Sequence, residues 1–112
     1  MDNSISYIEF NASNIQEIKK FYSQVFGWSF KDYGPDYTSF SESGVLGGFQ
    51  RTNDEIINGV LVVLYHKNLK ATMKKIIEAG GEVSKEIISF PGGSRFQFKD
   101  PSGNELAVWS DK

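Results

Sequence analysis

The chain is 112 residues long, has a formal net charge of −2 from 12 basic and 14 acidic residues, and contains no cysteine. No basic stripe is present to neutralise phosphates, no apolar run reaches the roughly 20 residues of a membrane helix, and no disulfide or thiolate metal site can form. Neither nucleic acid nor a membrane is therefore an expected partner. Met1-Asp2-Asn3-Ser4 is unlike a signal peptide, so we expect a cytoplasmic protein with a single domain over residues 1–112.

The first predicted element is a strand at residues 6–10. Its side chains alternate with a period of two, which places Ile8 and Phe10 on one face and Tyr7 and Glu9 on the other. The pattern indicates a strand with two chemically different sides.

A helix and three short strands are predicted next. Ser13 and Gln16 have the spacing of a capping box, and apolar residues then recur at helical spacing as far as Gly27, which predicts a helix at about 14–26. Turn residues then separate three β candidates. These strands are predicted at Trp28–Tyr33, Tyr37–Ser43 and Leu46–Arg51.

The second half of the chain repeats this order. The apolar, β-branched run Val60–Tyr65 predicts a central strand that is buried on both faces. Asn68 is the predicted cap of a second helix, which ends at Gly80-Gly81, and Asp100–Gly103 is typical of a hairpin turn. The remaining strands are predicted at about 82–89, 94–99 and 104–109.

The predicted order is therefore βαβββ twice, in modules at about 5–52 and 58–110. Two modules that cannot each bury a core must pack together, and the seam between them is the expected pocket. The predicted fold class is α+β. A ferredoxin-like sandwich is the competing arrangement, but it would leave two strands over.

Three motifs in this order carry a family resemblance. They are Phe21-Tyr22-x-x-Val25-Phe26-Gly27-Trp28, Ala79-Gly80-Gly81 and Asp100-Pro101-x-Gly103-Asn104. Together they resemble the vicinal oxygen chelate superfamily, which includes glyoxalase I, bleomycin-resistance proteins and extradiol dioxygenases. The chain is most similar to small single-domain proteins related to lactoylglutathione lyase. The resemblance implies two packed βαβββ modules and a pocket between them.

The resemblance also implies positions for a divalent metal, but the residues there are poor ligands. The implied positions are Tyr7, Val60, Ala107 and the strand around Gly47-Gly48-Phe49. Valine and alanine have no donor atoms, whereas divalent ions need several oxygen or nitrogen ligands in a defined geometry. His66 lies six residues beyond Val60, roughly 20 Å along a strand, and cannot replace the missing ligand. We expect neither a metal nor any other cofactor.

Two carboxylates are the candidate catalytic residues. Glu9 and Glu105 each lie two residues from an implied ligand position and so share its side of the strand. In an apolar pocket, desolvation would raise the pKa of such a carboxyl and suit it to act as a general base. The alternative is a structural carboxylate at a strand end or one paired with a neighbouring Arg or Lys. The candidate ligand-binding residues are Tyr7, Phe49, Val60, Val62, Ala107 and Trp109.

These residues favour a metal-independent protein that binds a small organic molecule in the seam. The alternative is a lyase or isomerase that uses a pocket carboxylate as base, or an atypical metal site. A third possibility is an interaction domain with a degenerate pocket. The resemblance also implies a homodimer, because members of this superfamily are commonly dimers.

Overall fold

The computed structural model describes residues 2–3 and 5–112. It contains the βαβββ order twice, which confirms the predicted fold. The first module comprises β1 (Ile8–Ala12), α1 (Ile15–Phe26), β2 (Ser29–Asp32), β3 (Tyr37–Ser41) and β4 (Gly47–Arg51). The second comprises β5 (Val62–Tyr65), α2 (Leu69–Glu78), β6 (Glu82–Phe90), β7 (Gly93–Lys99) and β8 (Glu105–Ser110). No helix of the described residues is long and apolar enough to cross a membrane.

Each module forms a four-stranded sheet, and the two sheets have equivalent strand orders, β1-β4-β3-β2 and β5-β8-β7-β6. The first strand of each module pairs in parallel with its last strand, and the other pairs are antiparallel. Strands β1 and β5 are therefore edge strands within their sheets.

The prediction of a strand buried on both faces at 60–65 is wrong. Strand β5 begins at Val62, and only alternate residues reach the core. Val63 and Tyr65, on the opposite face, are 45% and 51% exposed. The β-branched run predicts two buried faces, but within residues 2–3 and 5–112 no layer covers the face that carries Val63 and Tyr65.

The helix caps follow local chemistry. Helix α1 is capped by Asn14, whose Oδ1 accepts the Glu17 N–H at 3.0 Å, so the predicted capping box at Ser13 is wrong. Ser13 instead donates its backbone N–H to Ser102 Oγ at 3.0 Å, which links the two modules. Gly27 ends α1 with φ of 73°, and Asn68 caps α2, both as predicted.

One aromatic core joins the modules. Helix α1 packs on both sheets: Tyr22 lies 5.3 Å from Phe49 of β4, and Phe21 lies 6.1 Å from Phe98 of β7, between ring centroids. Each sheet thus turns one face to the helices. We call the opposite side the open face; on it lie Glu9, Tyr37 and Gly48 of the first sheet and Tyr65, Gln97, Glu105, Ala107 and Trp109 of the second.

The motif residue Asp100 fixes the hairpin turn and couples it to α1. Its Oδ1 accepts the backbone N–H groups of Ser102, Gly103 and Asn104 at 2.9, 3.0 and 3.0 Å. Its Oδ2 accepts the hydroxyl of buried Tyr22 at 2.9 Å. Burial raises the pKa of the Asp100 carboxyl, and these hydrogen bonds oppose that effect. The turn is therefore an anchor between modules as well as a hairpin.

Candidate functional site

The gap between the two modules contains a cavity of about 420 Å³, which we call the seam cavity. Residues 7–11 of the first module form one side. Val62 and the linker residues 56–60 form another, and Asn104 and Glu105 of the second module complete it. The volume lies within the range of about 300–1,000 Å³ that small-molecule sites occupy. The seam predicted from the repeat is thus an open space of ligand size.

Most of the predicted site residues line this cavity. Both candidate catalytic residues line it, one from each module, although they are 96 positions apart in the chain. The predicted residues that line the cavity are Tyr7, Glu9, Val60, Val62 and Glu105. The seam therefore brings Glu9 and Glu105 to the walls of a common space, although the Glu105 carboxylate is bound to Ser84 of β6 and Gln97 of β7.

Three predicted ligand-binding residues lie elsewhere. Phe49 is fully buried and stacks on Phe10 with ring centroids 5.2 Å apart, because its register with Phe10 places it on the helix side. Ala107 is on the open face but has no exposed surface. Trp109 is half-buried on the same face, edge-to-face with Tyr65 at 5.2 Å. None of the three lines the seam cavity. Of the aromatic residues predicted to bind the ligand, Tyr7 lines it and Phe49 and Trp109 do not.

The two predicted valines differ in their surroundings. Val62 is partly buried against the core, and its register with Leu106 places it on the helix side of the sheet. Val60 precedes β5 and is 78% exposed at the cavity rim. Both were predicted to bind the ligand, but Val60 belongs to the linker at the cavity rim and Val62 packs against the core.

A pair of tyrosine hydroxyls lies next to Glu9, and its second member is absent from the sequence prediction. The Oη atoms of Tyr7 and Tyr37 are 2.5 Å apart. Tyr37 lies over Gly48, where a Cβ would come within 2.5 Å of the Tyr37 Oη and 2.7 Å of the Thr38 carbonyl oxygen. Glycine is therefore required for Tyr37 to reach this place. An aromatic residue cross-strand from a strand glycine was the available sequence signal.

The environment keeps Tyr37 protonated. Desolvation is the largest cause, and hydrogen bonding to Tyr7 and the nearby carboxylate of Glu9 act in the same direction, so that the pKa of Tyr37 is raised well above its ordinary value. Because one hydroxyl of the pair donates to the other, one O–H remains that can donate a hydrogen bond to an oxygen atom of a ligand.

Glu105 is held as an anion. Its Oε2 accepts the Ser84 hydroxyl at 2.6 Å and the Gln97 amide at 3.1 Å. The Ser84 hydrogen bond is the main cause that lowers the pKa of Glu105. The predicted rise of this pKa by an apolar pocket does not occur, because polar side chains surround the carboxylate. Of the two carboxylates, Glu9 is the better candidate base.

The residues at the implied metal positions do not fit a divalent ion. Tyr7 offers one phenol oxygen, Gly48 only backbone, and Val60 and Ala107 no donor at all. Within residues 2–3 and 5–112, no group of three or more His, Cys, Asp or Glu side chains is placed to hold a metal.

Comparison with known proteins agrees with the fold and the repeat. The family described as the glyoxalase/bleomycin resistance protein/dioxygenase superfamily matches residues 4–108. The chain belongs to this superfamily. A glyoxylase-like domain-containing protein from Didymella fabae is 28% identical over 119 residues, which cover 93% of this chain and 91% of that protein.

Solved structures of this superfamily share the architecture. A glyoxalase/bleomycin resistance protein/dioxygenase family enzyme from Burkholderia phytofirmans superposes with a TM-score of 0.83 at 16% identity, over 96% of this chain and 98% of that one. A lactoylglutathione lyase from Agrobacterium tumefaciens gives a TM-score of 0.73 at 15% identity, over 96% and 93% of the two chains. At these identities the likeness shows the fold alone.

Proposed function

We propose that this superfamily member binds a small organic molecule in the seam cavity without a metal. The observation that carries the proposal is the cavity itself, which has ligand size and lies between the modules. At the implied metal positions, Val60 and Ala107 have no side-chain atom that could bind a metal ion. Apolar side chains of the linker and polar groups of both modules line it, the combination that small-molecule sites require.

The wall formed by the linker is fixed before any ligand arrives. Asn58 donates its side-chain amide to the Gly103 carbonyl at 3.0 Å and accepts the Glu105 N–H at 3.0 Å. This pair of bonds holds the linker against the second module. Because the linker is already ordered, ligand binding does not have to bear the entropic cost of ordering it. Ile56, Ile57 and Val60 are then presented to the ligand from a defined position.

The charge of the cavity favours ligands that donate hydrogen bonds. Glu9 supplies acceptors, and the Tyr7 hydroxyl can donate or accept. Aromatic and glycopeptide compounds with amine or amide groups therefore form the first panel for isothermal titration calorimetry. We expect saturable binding by at least one class.

The matched variants for this titration are Val60→Trp and Ile77→Trp. Val60 lines the seam cavity and is exposed, so a tryptophan there should fill the space without disturbing the core. Ile77 of α2 is 56% exposed and does not line this cavity. Binding should disappear in the first variant and persist in the second. A panel that fails to bind, or equal binding by both variants, would reject the proposal.

A second candidate function is a metal-free lyase or isomerase. It is favoured by the juxtaposition of Glu9 with the Tyr7–Tyr37 hydroxyl pair. Glu9 would remove a proton from the carbon next to a substrate carbonyl, and the Tyr7 hydroxyl would donate a hydrogen bond to the oxygen that gains the charge. The proton would then return to a different carbon or accompany a leaving group.

Catalysis is tested by solvent deuterium exchange into candidate carbonyl compounds. Glu9→Gln should abolish exchange while leaving the unfolding midpoint unchanged, and Glu82→Gln, an exposed glutamate at the start of β6, serves as the matched control. The metal content of the purified protein is measured in parallel by elemental analysis. Exchange that survives in Glu9→Gln would remove Glu9 from the mechanism, and stoichiometric nickel, zinc or iron would indicate a metal site instead.

We also propose a homodimer. The exposed apolar side chains of the open face are Val63 and Tyr65 of β5 and Ile88 of β6. They lie on the two outer strands of the second sheet, and an interface on this face would cover them. Size-exclusion chromatography with light scattering should give twice the chain mass of 12.6 kDa. A monomer at micromolar concentration would contradict the proposal.

A further inference from the structure

A second cavity, of about 560 Å³, lies beside the seam cavity and has a different chemical character. It is bounded by the end of α1, the turn between β3 and β4, and strand β5. Ile8, Phe10 and Val62 line both cavities and so lie between them. We call this space the aromatic cavity; the ligand site proposed above does not use it, although Val63 and Tyr65 of the proposed dimer surface line it.

Five aromatic and six aliphatic residues line it. Trp28 is buried and packs against both Tyr22 and Phe40, with ring centroids 4.6 Å apart in each pair. Phe10 and Phe26 are only partly buried, so their rings are the ones that can present a face to the cavity. The negative faces of aromatic rings attract cations.

The polar residues of the aromatic cavity include one carboxylate and no basic side chain of lysine or arginine. Glu42 follows β3 with φ of 69°, a left-handed conformation that is costly for a non-glycine residue. Ser43 is already engaged, because its hydroxyl donates to the Val45 carbonyl at 2.7 Å. The carboxylate of Glu42 is therefore the group available to a charged ligand.

His66 completes the polar side. Its Nδ1 accepts the Asn68 N–H at 2.9 Å, so the neutral ring carries its proton on Nε2 and can donate one hydrogen bond. The aromatic rings and the single carboxylate are complementary to a positive group on an apolar body, whereas the His66 N–H can serve only a ligand that also carries a hydrogen-bond acceptor.

We propose that the aromatic cavity binds an organic ammonium ion, with the cation between the Glu42 carboxylate and the aromatic rings. Cation–π attraction contributes about 0.5–2 kcal/mol depending on desolvation. An uncharged ligand of the same shape gains only the apolar contacts, and an anion is repelled by Glu42. The site therefore discriminates by charge.

The experiment titrates the full chain with benzyltrimethylammonium, its uncharged carbon isostere neopentylbenzene, and phenylacetate, followed by ¹H–¹⁵N spectra. The cation should bind at least about fivefold more tightly than the isostere, which corresponds to the lower part of the cation–π range plus a weak exposed ion pair. Shifts should centre on the Trp28 indole N–H and the amides of Gly44 and His66.

Two variants separate this site from the seam cavity. Glu42→Gln should remove most of the preference for the cation and leave isostere binding unchanged, because Glu42 is exposed and the substitution keeps its size. Val45→Trp, at the rim, should abolish binding of both, whereas Val60→Trp should have no effect. Equal affinity for cation and isostere, a preference that survives Glu42→Gln, or shifts centred on the seam cavity would overturn the proposal. Because each rim variant fills only one cavity, failure here leaves the function proposed for the seam cavity separately testable.

Discussion

The bond between the Tyr22 hydroxyl and Asp100 links α1 of the first module to the hairpin turn of the second, and its contribution to stability can be measured against a matched control. Tyr22→Phe removes the hydroxyl that donates to Asp100 Oδ2 at 2.9 Å inside the core. Tyr65→Phe removes a hydroxyl that donates to Asp111 Oδ1 at 2.6 Å on the surface. Each variant removes a tyrosine hydroxyl that donates to an aspartate carboxylate. The bond of Tyr22 is buried in the core, whereas the bond of Tyr65 is at the surface.

Tyr22→Phe should cost about 2 kcal/mol, because hydrogen bonds to charged groups contribute about 1.5–3 kcal/mol and Asp100 Oδ2 keeps a second donor, the Asn104 amide at 3.0 Å. For a chain of this size that loss lowers the urea midpoint by about 1 M and Tm by roughly 8 °C. Tyr65→Phe should leave both unchanged, because water replaces the lost partner.

Urea unfolding followed by tryptophan fluorescence measures both variants, with an unchanged m-value as the check that the native state is intact. The deficit of Tyr22→Phe should shrink at low pH, where Asp100 becomes protonated and the hydroxyl faces a neutral acid instead of a carboxylate. Equal midpoints for the two variants would refute the account of Asp100 as the anchor between modules.

Three further predictions concern the seam cavity. Gly48→Ala should displace the Tyr37 ring, since the new Cβ would come within 2.5 Å of its hydroxyl, and ultraviolet titration should show the pKa of Tyr37 falling toward its ordinary value. Ser84→Ala should raise the pKa of Glu105 in carboxyl ¹³C spectra. Because a lowered carboxyl pKa stabilises the fold above the ordinary pKa and this stability is lost as pH falls, the variant should be less stable at pH 7 and equal to the parent in acid. Asn58→Ala should release the linker and weaken ligand binding about tenfold. Hydrogen exchange of the Glu105 amide should become faster in this variant, because that N–H loses its acceptor.

Local signals in the sequence predicted most of the architecture. Gly27, Asn68 and the Asp100–Gly103 turn each specify their own backbone through capping or turn chemistry, so the repeat could be found without knowing any long-range contact. The prediction of Ser13 as the cap failed because the next residue, Asn14, suits that role equally well. The structure starts the helix one residue later, with Asn14 accepting the Glu17 N–H while the Ser13 backbone N–H donates to the other module.

The site was only partly predictable because strand parity depends on register. The pairing of Phe49 with Phe10 places Phe49 on the helix side and leaves Gly48 on the open face, and no local feature of β4 reveals this. The exposure of β5 is similar, since an apolar run looks the same whether its second face is buried or uncovered. Tyr37 becomes part of the site because its hydroxyl contacts that of Tyr7, 30 positions away in the chain.

The most direct test of the seam cavity as a ligand site is a ¹H–¹⁵N titration of the unmodified protein and of Val60→Trp with the compounds that give heat on mixing. The account predicts saturable shifts at the side-chain amide of Asn58 and the backbone amides of Gly59 and Glu105 in the unmodified protein, and none in the variant. Shifts confined to other surfaces, or unchanged in Val60→Trp, would contradict it.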